Sequence, residues 1–152
     1  MNRGRLLMEA QMIGRLAGLF LLLAAINLAV GSCSTKEDLA AAEREVKKFH
    51  QAYNAGLHDE IYEKTTDELK KKATREDFVA MLDVVQRKLG KMTETKRANW
   101  NVNFSVGGST VKLIYETSFA LGTGTETFDY RISGKKAVLM GYNITSKNLV
   151  PR

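Results

Sequence analysis

At 152 residues, with 44% hydrophobic and 26% charged side chains, the chain has the composition of a folded globular protein rather than a disordered or fibrous one. Its net charge of +6 falls to +4 once Arg3, Arg5 and Arg15 and the single acid Glu9 of the first 32 residues are set aside. That balance, with both signs interspersed, does not point to nucleic acid, and a single cysteine, Cys33, excludes a disulfide framework within the chain.

The first feature along the chain is the uncharged run from Leu16 to Val30 (LAGLFLLLAAINLAV), which follows three arginines. A basic region, a short apolar region and small residues in succession form a secretory signal. The apolar run is shorter than the roughly 20 residues a permanent transmembrane helix needs, and no second run of that kind follows. Met12 offers a later start with better signal proportions.

The run closes on Val30-Gly31-Ser32-Cys33, which resembles the lipobox of bacterial lipoproteins. The resemblance implies that residues 1–32 are a signal peptide removed before Cys33, whose thiol carries a diacylglyceryl group and whose amino terminus takes a further acyl chain such as palmitate. Two or three acyl chains give lasting membrane attachment, whereas one gives only marginal binding. Serine at position 34, rather than aspartate, implies the outer membrane, facing the periplasm in a Gram-negative cell. The membrane is thus the expected partner through Cys33, with residues 33–35 as a lipidated terminus and short tether.

A folded domain is expected over residues 36–147. Ser34 and Thr35 stand before Glu37 and Asp38 at capping spacing, and Leu39, Ala42, Val46, Phe49 and Tyr53 trace one apolar helix face that Gly56 ends. A short helix is expected from His58, packing through Leu57, Ile61 and Tyr62, followed by a less regular stretch, 65–72, whose Lys70, Lys71 and Lys72 read as a solvated end. Thr74 with Asp77 caps a third helix through Phe78, Met81, Leu82, Val85 and Leu89, closed by Gly90.

From about Thr93 the period becomes two. Trp100, Val102, Phe104 and Val106 alternate with polar residues up to the Gly107-Gly108 turn, and Val111, Leu113, Tyr115, Thr117, Phe119 and Leu121 share one side of the next strand. Gly122 to Gly124 is expected to turn the chain again. Glu126, Phe128, Tyr130 and Ile132 alternate in a third strand, Val138, Met140, Tyr142 and Ile144 in a fourth, and residues 148–152 form a C-terminal tail.

Helices followed by four strands on tight turns predict an α+β domain, with N-terminal helices packed on a four-stranded antiparallel meander. This order resembles the NTF2-like, or cystatin-like, architecture, in which a curved sheet wraps the helices into a cone. Phe49 and Tyr53, Ile61 and Tyr62, the Thr74 to Phe78 helix start and Leu89-Gly90-Lys91 are similar to the helical half of uncharacterised families of small bacterial envelope proteins on that fold. The resemblance rests on packing and capping positions, so it implies the fold and little chemistry.

The described catalytic motifs of hydrolases, zinc proteases and nucleotide enzymes are missing from the sequence. His50 and His58 are separated by a helix break, so no metal site is expected; no cofactor is expected either. Related cone folds perform proton transfer with a carboxylate in an apolar pocket, but Glu116 and Asp129 alternate away from Tyr115 and Tyr130. Glu126 shares the Tyr130 side, and its place beside a turn predicts solvation. The expected function is non-enzymatic: binding of a small apolar ligand or an envelope protein, with Tyr53, Tyr62, Trp100, Tyr115, Tyr130 and Tyr142 as candidate pocket lining. The alternatives are a pocket-carboxylate isomerase or hydratase, and a scaffold using its exposed sheet face.

Overall fold

The structure, a computed structural model, describes residues 34–150; the signal segment and Cys33 lie outside the described residues. Helix α1 covers the described residues 34–54. Gly56, with φ of 72°, terminates α1 by adopting a left-handed conformation that other residues resist. Helix α2 (His58–Glu63) follows, then α3 (Asp67–Lys72) and α4 (Arg75–Leu89). The expected irregular stretch thus contains a six-residue helix, because the Thr66 side chain accepts from the Leu69 amide and caps it. Thr74 caps α4 in the expected way, its hydroxyl accepting from the Asp77 amide and donating to the Asp77 carboxylate.

Four strands complete the fold in a sheet of order β1-β2-β3-β4: β1 (Met92–Ser105), β2 (Gly108–Phe119), β3 (Gly122–Ser133) and β4 (Lys136–Thr145). All neighbours are antiparallel, as a meander of tight turns requires. The buried face carries Val111, Leu113, Tyr115, Thr117 and Phe119 of β2 and Glu126, Phe128, Tyr130 and Ile132 of β3. Helix α1 meets it through Ala42, Val46, Phe49, His50 and Tyr53, and α4 adds Phe78, Leu82, Val85 and Leu89 to the same core. Where α1 ends, Tyr53 donates to the Gly90 carbonyl at 2.9 Å, and Asn54 exchanges two 2.8 Å bonds with the Met92 backbone. These contacts fix the passage from helices to sheet.

Three details differ from the expectation. The second turn falls at Ala120 and Leu121, while Gly122 and Gly124 lie in β3; a Cβ on Gly122 would approach the end of the Asn148 side chain to 2.4 Å, so a larger residue there would have to displace that amide. A bulge between the Asp129 and Tyr130 pairings reverses the alternation of β4, so Leu139 and Ala137 face the core in place of Met140 and Val138. Finally, Leu149 packs against the core and Asn148 donates to the Leu121 carbonyl at 2.9 Å, so the expected tail still makes contacts at these residues. Among the described residues, no helix is long and apolar enough to cross a membrane.

Candidate functional site

Three polar residues occupy positions that the sequence periods assign to the core. His50 follows Val46 by one turn on the buried face of α1, Thr117 alternates with Tyr115 and Phe119, and Glu126 alternates with Phe128. The strand register sets Tyr115 opposite Glu126 and Phe128 opposite Tyr142, which draws the fourth member in from β4.

Glu126 is 1% exposed, which corrects its expected solvation. Lying at the inner face of a central strand outweighs its nearness to a turn. One carboxylate oxygen accepts from the Thr117 hydroxyl at 2.5 Å and lies 2.8 Å from His50 Nε2; the other accepts from the Tyr142 hydroxyl at 2.8 Å. Four elements, α1, β2, β3 and β4, each supply one side chain to this cluster. Rings close around it: Phe49 lies 5.1 Å from Phe128 and 4.7 Å from Tyr142 between centroids, and Phe128 meets His50 edge-on at 5.6 Å. A buried carboxylate with such partners is held in one geometry, because each unmade hydrogen bond in an apolar setting costs about 1–3 kcal/mol.

The six residues expected to line a pocket separate into four groups. Tyr53, Tyr62 and Tyr115 are core residues, with Tyr62 donating to the Ala73 carbonyl at 3.1 Å. Tyr130 forms part of a small cleft of about 90 Å³ with Phe49, Ala52, Ile61, Ala137 and Leu139. Tyr142 lines a larger apolar groove between α4 and β4, about 400 Å³, with Met81, Val84, Val85, Ile144 and Leu149. Trp100 is 43% exposed and lines neither space, because β1 is an edge strand and its helix-side face extends past the helices. A third, polar recess of about 1000 Å³ lies on the opposite face of the sheet around Lys96, Glu116, Thr123 and Thr125. Glu126 lines none of the three.

The two histidines serve different contacts. His58 Nδ1 lies 2.6 Å from Asp83 and joins α2 to α4, while its Nε2 is buried without a hydrogen-bond partner among the described residues. Among the described residues, no three His, Cys, Asp or Glu side chains gather in a metal-binding group.

Burial raises the pKa values of Tyr130 and Tyr142. Tyr142 is held well above its ordinary value first by burial and then by the Glu126 carboxylate; Tyr130 is also held well above it, by burial and then by Glu45. In the unfolded chain each would lose its proton near pH 10, whereas the folded protein keeps it. The folded state therefore binds more protons above that pH, and stability falls as pH rises. The two residues are therefore expected to lower the stability of the fold as the pH rises from 10 to 11. Thermal unfolding followed at the two pH values checks this.

Compared with known proteins, the chain matches no family model, and no curated protein is significantly similar to it.

Proposed function

We propose that this chain is a lipid-anchored bacterial cell-envelope protein whose NTF2-like, cystatin-like domain binds a small apolar ligand in the groove between α4 and β4. The observation that carries the binding reading is the groove itself. Its volume of about 400 Å³ lies within the roughly 300–1000 Å³ range of small-molecule sites. Its walls are Ala80, Met81, Val84, Val85, Ile144 and Leu149, with the Tyr142 ring at one side. The lipobox-like Val30 to Cys33 supports the anchor.

The isomerase or hydratase reading has one observation in its favour, the tyrosine hydroxyl 2.8 Å from a buried carboxylate. Proton transfer needs that carboxylate within reach of a substrate. Here both oxygens are engaged and Glu126 itself lines none of the three spaces described, so the cluster supports a structural role.

Anilinonaphthalene sulfonate added to the folded, acylated protein tests the groove, with Val84→Asp as the variant. Val84 is half exposed on α4, so the fold should survive the change while a charge enters the apolar wall. Bound-dye fluorescence is expected to fall several-fold at unchanged thermal stability; equal fluorescence would remove the groove from the proposal. Intact mass and membrane fractionation of Cys33→Ala test the anchor separately, with loss of the acyl mass and release from the membrane expected.

A further inference from the structure

Two hairpin tips lie at the same end of the sheet. The β1–β2 turn follows Ser105 and precedes Gly108, and the pairing of Ser109 with Ile132 sets the β3–β4 turn, Gly134 and Lys135, beside it. The first tip is apolar: Phe104 is 60% exposed and Val106 is fully exposed. The second is basic: Lys135 and Lys136 are exposed and take part in no ion pair among the described residues. Behind Phe104, Val102 and Trp100 continue the apolar row on the same face of β1, since they pair with the inward residues Val111 and Leu113.

The first described turns of α1 lie at this end. The Ser109 hydroxyl donates to Asp38, and Ser109 is the cross-strand partner of Phe104; further along, Arg97 of β1 pairs with Glu43. Asp38 of α1 is thereby tied to the apolar tip. Cys33 is five residues before Asp38 in the chain, so covalent geometry alone keeps it within about 18 Å of that contact. An anchor at Cys33 leaves the domain little freedom to turn this end away from the lipid.

We propose that the β1–β2 tip, Phe104 and Val106, docks into the interfacial layer of the bilayer that holds Cys33, with Lys135 and Lys136 meeting anionic headgroups. The proposal rests on the lipid-anchor reading. Apolar side chains rimmed by lysine suit that layer, where the rings and methyls leave water while the ammonium groups stay at the headgroups. Docking fixes the domain's orientation and turns the β2–β3 turn, at the far end of β2, towards the aqueous side.

The sequence contains one tryptophan, so Trp100→Phe provides a silent background for a reporter. Val106→Trp places the reporter at the proposed contact, and Leu121→Trp places it on the exposed β2–β3 turn at the opposite end. The acylated protein is reconstituted in vesicles of equal parts phosphatidylethanolamine and phosphatidylglycerol, with and without brominated lipid. Quenching and a blue shift are expected at 106 and not at 121. Adding Phe104→Asp should abolish the quenching at unchanged thermal stability, and Lys135→Glu with Lys136→Glu should remove its dependence on phosphatidylglycerol.

Equal quenching at both positions, or at neither, overturns the proposal. A 106 reporter already blue-shifted in detergent, accompanied by a dimer, assigns this face to a second copy and also overturns it. Intact mass separates the two ideas: if Cys33 is unacylated, the anchor reading fails, and the same reporter pair on the unacylated full chain still decides docking. Quenching at 106 alone then upholds it, and no quenching ends it.

Discussion

Replacing Glu126 with alanine is expected to destabilise the fold by about 3–5 kcal/mol, the range for breaking a buried ion pair or hydrogen-bonded network from one side. Three groups lose their partner at once: the Thr117 hydroxyl, the Tyr142 hydroxyl and His50 Nε2. His50 and Thr117 are each 2% exposed, so water reaches the vacated site poorly. For a domain of this size such a loss lowers Tm by about 10–20 °C. Glutamine at position 126 should cost less, about 1–2 kcal/mol, because its amide nitrogen replaces one acceptor with a donor facing a donor. Thermal unfolding by circular dichroism distinguishes the roles. A structural clamp loses stability with both variants, whereas a rise in Tm with glutamine would mark a carboxylate held there at a cost in stability, as functional sites often are.

The architecture was legible because each element carries its own period and stop. The apolar face from Leu39 to Tyr53 ends at Gly56, that of α4 ends at Gly90, and β2 alternates without interruption from Val111 to Phe119. What escaped depends on relations between elements. No local pattern tells that β1 is an edge whose Trp100 and Phe104 stand uncovered, since alternation reports which residues share a face and not what covers that face. The bulge in β4 is invisible for the same reason: it is defined by pairing with β3.

The Glu126 cluster was partly legible. His50, Thr117 and Glu126 are polar residues at core positions of three separate elements, and such residues must find one another or lose stability. Tyr142 could not be added without the register of β4 against β3. The groove was less accessible still, because its walls come from α4, β4 and Leu149, and their separation depends on packing rather than on any repeat.

Truncation of Phe128 to alanine is expected to cost about 3–5 kcal/mol, the usual range for emptying an aromatic core position. Phe128 is fully buried, and its ring meets those of Phe49 and Tyr142 at 5.1 Å, His50 at 5.6 Å and Tyr115 at 6.0 Å. Leucine should recover much of the loss by filling part of the space. The informative measurement combines Phe128→Ala with Glu126→Ala. His50 and Tyr142 touch both residues, one through its ring and the other through a hydrogen bond, so either truncation loosens what the other relies on. The double variant should therefore cost less than the sum of the singles, by about 0.5–3 kcal/mol, as for other residues sharing a network. Strict additivity would show that the aromatic packing and the polar cluster stabilise the domain independently, and that Phe128 does nothing to hold the His50 and Tyr142 donors in place.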